Sequence, residues 1–87
     1  IYCEGRYGIR IENLVAVQKH SSNEFGDFYR LETLTLCPLD TRAIDVALLT
    51  EEERNWLNNY NKWVEEKISP LVGEEQRAWL KERCKAI

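Results

Sequence analysis

The hydrophobic pattern of this chain changes period partway along. Apolar and β-branched residues crowd the run Gly8-Ile9-Arg10-Ile11-Glu12-Asn13-Leu14-Val15-Ala16-Val17, which predicts a buried strand over residues 8–19. Aromatic residues and Thr predict a second strand over 28–37. Between them, residues 20–27 are polar and contain Gly26, as expected of a long hairpin loop joining an antiparallel pair. A lone two-stranded hairpin is marginal in water, so these strands are expected to belong to a larger sheet completed by residues outside this sequence.

Pro38 removes a ladder donor and closes the second strand. Residues 39–49 show no clean period and read as a connector anchored by Ile44, Leu48 and Leu49. The pattern then becomes helical. Thr50-Glu51-Glu52-Glu53 is a capping box that predicts a helix start at 50–51, with three acids at the positive end of the helix dipole. Trp56, Leu57, Tyr60, Trp63, Val64, Ile68 and Leu71 form one broad apolar face, the expected core. Pro70 ends or kinks this helix and Gly73 breaks it. Residues 74–84 predict a second helix, acidic at its start and basic near its end, with Trp79, Leu80 and Cys84 toward the first. The fold class is α+β: an antiparallel β-hairpin, a connector and two C-terminal helices.

Composition narrows the function classes. Eighty-seven residues support one small core, and 44% hydrophobic content with three Trp and four Tyr argues for a folded chain. Fifteen acidic residues against twelve basic ones, the latter scattered singly, leave no footprint for nucleic acid. Cys3, Cys37 and Cys84 are odd in number and lack the paired spacing of a zinc site, so they read as reduced thiols. With no membrane-length apolar run and no leader, a cytoplasmic setting is expected. An opening without Met, shortly before a strand, suggests a piece of a longer protein.

Glu12 is the residue that asks for a reason. A carboxylate inside an apolar strand must be paired, hydrogen-bonded or bound to a metal to offset its desolvation. Arg10 lies two residues away and, in a strand, on the same face. Two readings follow from the residues themselves: a structural ion pair, or a metal ligand with a basic neighbour.

The run Tyr7-Gly8-Ile9-Arg10-Ile11-Glu12-Asn13-Leu14 resembles the last metal-ligand strand of the pita-bread metallopeptidases, specifically the Xaa-Pro aminopeptidase (aminopeptidase P) family. Further resemblances follow in order: Glu32-Thr33-Leu34-Thr35-Leu36, Pro38-Leu39-Asp40-Thr41, Ile44-Asp45, Leu48-Leu49-Thr50, then Trp56-Leu57-Asn58 and Tyr60. The resemblance implies that residues 1–37 are the last strands of a catalytic domain and 38–87 a helical C-terminal extension. It implies two divalent ions, held by two Asp, one His and two Glu, with Glu12 as the bridging carboxylate. Hard oxygen ligands of this kind suit manganese. Arg10 would orient the carboxylates beside it.

The implied reaction is hydrolysis of the bond between an N-terminal residue and a following proline. Peptides with proline second would be the substrates, and a homodimer or self-association the expected assembly. One Glu cannot hold a dinuclear centre, so the 87 residues alone are expected to be inactive and metal-free. The alternative is a non-catalytic pseudoenzyme or interaction module of the same fold.

Other chemistry-bearing residues carry plainer expectations. Glu32 reads as a structural charge, and His20 as a solvated loop residue rather than a general acid. Asp40 and Asp45 suit turn and capping duties. The three Trp, at helical spacing, read as core, and Cys37 as an inert buried thiol. Asn61 follows Tyr60 where family members often carry His, and Cys37 stands where they often carry an aliphatic residue.

Overall fold

The computed structural model describes residues 1–87, which form two compact units, Ile1–Thr35 and Leu36–Ile87. The architecture is α+β, with antiparallel strand pairs followed by two helices.

The first unit contains two hairpins. Strands β1 (Tyr2–Cys3) and β2 (Tyr7–Gly8) pair antiparallel, an arrangement the hydrophobic pattern did not predict. Their turn depends on Gly5, whose φ of 70° is a left-handed conformation that a side chain disfavours. The Ile1 ammonium and the Ile9 N–H each donate to the other residue's carbonyl, both at 2.9 Å, and so lengthen the ladder.

Strands β3 (Val15–Asn23) and β4 (Gly26–Thr33) form the longer hairpin. It is longer toward its tip than the polar loop over 20–27 suggested. Asn23 pairs with Gly26, leaving only Glu24 and Phe25 in the turn. Local chemistry explains this: the Asn23 carboxamide oxygen accepts the Phe25 N–H at 2.9 Å, and Gly26 adopts φ 127°. Ser22 and Lys19 on β3 both bond Asp27 on β4, so polar cross-strand pairs supply what apolar alternation does not. A bulge between Lys19 and Ser21 leaves His20 without a residue opposite it.

Residues 9–14 form neither a strand nor a buried segment, which corrects the expected strand over 8–19. At the base of the hairpin, the Leu34 N–H donates to the Leu14 carbonyl at 2.8 Å and the Leu14 N–H to the Thr35 hydroxyl at 2.8 Å. Regular pairing stops at Thr33 rather than Cys37.

The second unit is built on helices α1 (Glu51–Ile68) and α2 (Glu74–Arg83). Thr50 caps α1 as its sequence predicts. The Glu53 N–H donates to the Thr50 hydroxyl at 3.2 Å, and the Thr50 N–H donates to the Glu53 carboxylate at 2.8 Å. The backbone and hydroxyl of Thr50 hold the Glu53 carboxyl below its usual range. The α-helix stops at Ile68, and Ser69-Pro70-Leu71 continue as one 3-10 turn.

The core gathers Tyr60 and Val64 of α1 with Leu80 and Cys84 at the end of α2, flanked by Leu39, Trp63 and Ile68. Burial raises the Cys84 thiol pKa, with the Glu65 charge adding to the effect. Several expected core positions lie outside. Trp56 is 52% exposed, Trp79 is 56% exposed and Leu71 is more exposed still, while Leu48, expected to anchor the connector, is also exposed. Cys37 is exposed rather than buried. Two short helices can enclose only a narrow stripe, so the flanks of a broad apolar face stay in water.

Candidate metal-ligand segment

Glu12 lies on the irregular segment between β2 and β3. Its side chain is 68% exposed, and one carboxylate oxygen sits 3.6 Å from an Arg10 guanidinium nitrogen. The buried-charge premise is therefore replaced by a solvated pair, for which the desolvation cost is small and the mutual attraction weak. Ile1, Ile9, Arg10, Ile11 and Glu12 line one open concavity of about 480 Å³. Within these 87 residues Glu12 meets Arg10 and no second carboxylate or imidazole, and no group of three or more His, Cys, Asp or Glu is placed to hold a metal ion. The donor set thus amounts to one hard oxygen ligand, which does not fit a complete dinuclear centre.

The other sequence-predicted residues have local settings of their own. Glu32 occupies an exposed position on β4, opposite Ala16. His20 is exposed on the β3 bulge. Asp40 closes a turn: its carboxylate accepts the Arg42 N–H at 3.0 Å and the Arg42 guanidinium at 2.6 to 3.1 Å. These bonds hold the Asp40 carboxyl well below the usual carboxylate range. Asp45 accepts the Ala47 N–H at 3.1 Å and caps a 3-10 turn over Val46–Leu48.

Two asparagines of α1 gain duties that the sequence pattern did not show. Asn61 is 1% exposed and bonds both backbone groups of Leu39, while Asn58 bonds both backbone groups of Ile87. The Tyr60 hydroxyl donates to the Cys37 carbonyl at 3.1 Å. Together these side chains fasten extended backbone to the helix where no sheet is present to do so. The one available signal was an Asn placed i, i+1 and i, i+4 to Tyr60 and Leu57 on the apolar face.

A sequence profile described as the C-terminal region of peptidase M24 matches residues 27–87. This chain belongs to the peptidase M24 family. A probable Xaa-Pro aminopeptidase P from Coprinopsis cinerea is 45% identical over 91 aligned residues, spanning 99% of this chain and 15% of that protein. Aminopeptidase P2 from Arabidopsis thaliana is 42% identical over 83 residues, 91% of this chain and 12% of that protein.

Among solved structures, an X-prolyl aminopeptidase from Caenorhabditis elegans superposes with a TM-score of 0.77 at 35% identity, covering 99% of this chain and 15% of its own. That nematode protein is described as a cytosolic enzyme with a di-nuclear active site. The M24 chain therefore spans about one-seventh of the relatives it matches, and corresponds to their C-terminal part over nearly its whole length.

Proposed function

We propose that these 87 residues serve as the C-terminal part of a metal-dependent Xaa-Pro aminopeptidase, with Glu12 supplying one carboxylate to a two-metal centre. The observation that carries this reading is the near end-to-end match to Xaa-Pro aminopeptidases, which includes the segment holding Glu12. Its exposure supports it, because a ligand must be reachable by partners from elsewhere in the polypeptide.

In this reading residues 1–37 are the closing strands of the catalytic domain and 38–87 its helical extension. Glu12, together with ligands from elsewhere in the polypeptide, would hold two divalent ions, for which manganese suits oxygen ligands, and these would supply Lewis-acid activation of water for the hydrolysis. Arg10 orients the Glu12 carboxylate beside it. The substrates are peptides with proline in second position. A cytoplasmic setting is supported by three unpaired thiols and by the cytosolic nematode relative. Self-association, to a homodimer in the simplest case, is supported by the exposed Val17, Leu31 and Tyr29 on a hairpin with two free edges.

The test is Glu12→Ala in the longer polypeptide that carries this sequence. Elemental analysis is expected to show loss of bound metal, together with loss of Xaa-Pro cleavage. Unchanged metal content and unchanged cleavage would remove Glu12 from the centre.

A further inference from the structure

We infer that Thr35 is a positioning residue for the segment that carries Glu12. Val15 pairs with Thr33 at the base of the long hairpin, so continuing the register sets Leu14 opposite Leu34. An antiparallel pair of this kind exchanges two backbone hydrogen bonds. One is made: the Leu34 N–H donates to the Leu14 carbonyl at 2.8 Å. The reciprocal donor, the Leu14 N–H, turns to the Thr35 hydroxyl instead, also at 2.8 Å. A side chain thus stands where a backbone carbonyl would, and it fixes the plane of the peptide that joins Asn13 to Leu14.

That peptide begins at the residue after Glu12. The far end of the segment is held as well, by the Ile9 N–H donating to the Ile1 carbonyl at 2.9 Å. Between these anchors residues 10–13 have no regular structure, and Arg10 meets Glu12 only in a solvated contact at 3.6 Å. Such a contact is too weak to fix the course of a segment with two soft dihedrals per residue. The direction of Glu12 therefore depends on the anchors, and Thr35 supplies one of them through a side chain that can be exchanged. Without the hydroxyl the Leu14 carbonyl stays held, water takes the Leu14 N–H, and the Asn13–Leu14 peptide is free to turn. A carboxylate that ligates a metal binds best when already in place, because ordering it on binding costs affinity. The tether stands without any metal, and its consequence for metal binding rests on the reading of Glu12 as a ligand.

The test compares the parent chain with Thr35→Val, which keeps the branched shape and loses the hydroxyl, and with Thr35→Ser, which keeps the hydroxyl. In the metal-free 87 residues, backbone-amide relaxation by NMR is expected to show Glu12 and Asn13 loosening in Thr35→Val, to order parameters below about 0.6, and recovering in Thr35→Ser. Circular dichroism and the unfolding midpoint should hardly move, because the Leu14 N–H bond lies at the surface. In the longer polypeptide that carries this sequence, manganese binding is measured by competition with a chelating indicator. Thr35→Val should weaken it about tenfold and Thr35→Ser should restore it. Order parameters unchanged in Thr35→Val, or equally low in Thr35→Ser, would overturn the inference. So would a metal affinity that falls in Glu12→Gln and holds in Thr35→Val, an outcome that leaves Glu12 as a ligand. An affinity unmoved by either change overturns the ligand reading, and with it the role of Thr35 in metal binding. Should Thr35→Val lose the parent circular dichroism, Thr35→Ala is the second hydroxyl-free chain for the same measurements.

Discussion

The carboxamide of Asn61 pairs with Leu39 as a β-strand would: the Leu39 N–H donates to Asn61 Oδ1 at 2.9 Å, and Asn61 Nδ2 donates to the Leu39 carbonyl at 3.2 Å. Asn61 is the only polar residue that is fully buried, so this pair also settles how the helical core tolerates a carboxamide. Removing it would leave both Leu39 groups short of a partner. Asn61→Ala is expected to destabilise the chain by about 2–3 kcal/mol, read from urea unfolding. Asn61→Asp should be at least as harmful, because the donor is lost and a charge is buried. A cost below about 0.5 kcal/mol for Asn61→Ala would mean that solvent replaces the pair.

The capping box makes helix α1 sensitive to acid. Glu53 is held below its ordinary 4.5 by the N–H and hydroxyl of Thr50, and Asp40 below its ordinary 3.8 by Arg42. Both depressed values mean that the folded chain binds fewer protons than the unfolded one at acidic pH. Their contribution is complete above about pH 5 and fades as pH falls through the ordinary carboxylate range toward the lower folded values. Glu53→Gln should flatten the decline of helical circular dichroism on acidification, while Thr50→Ala should cost about 1 kcal/mol at neutral pH. An identical acid profile for Glu53→Gln and the parent chain would contradict this assignment.

Within the helical core, Val64 is completely enclosed and Leu48 is 81% exposed. Val64→Ala should therefore cost about 2 kcal/mol, from lost burial and the cavity left behind. Leu48→Ser should change stability by less than about 0.5 kcal/mol. Thermal unfolding of the two variants side by side checks the ranking, and a larger loss for Leu48→Ser would show that Leu48 is covered in solution.

Glu12 offers a comparison between two lengths of chain. In the 87 residues alone its exposed contact with Arg10 is worth little, so Glu12→Gln should shift the unfolding midpoint by less than about 0.5 kcal/mol equivalent. On the proposed reading, in the longer polypeptide that carries this sequence, the same change should lower metal content, measured by elemental analysis, because a neutral amide is a poor ligand for a hard cation. A large stability loss in the short chain would instead make the ion pair structural.

Local signals in the sequence determined the helical half in outline. The Thr50–Glu53 box, the Pro70 stop and the turn roles of Asp40 and Asp45 need only neighbours within a few residues, so spacing alone locates them. Periodicity also identified Tyr60, Val64, Leu80 and Cys84 as inward positions. It could not say how wide the enclosed stripe is. Tertiary structure decided that, leaving Trp56 and Trp79 half in water because two short helices cover only part of the face.

The strand half was less legible, for a physical reason. Apolar density in 9–14 reads as burial only if something covers it, and within this chain nothing does. Tertiary structure likewise showed the roles of Asn58 and Asn61, whose partners lie more than twenty residues away and which the sequence marks only by the place of Asn61 on the apolar face. The ordered motifs resembled the Xaa-Pro aminopeptidases from the sequence by itself, and the family match agrees. The setting of Glu12 came only from the fold: an exposed carboxylate beside Arg10, where the hydrophobic pattern had implied a buried one.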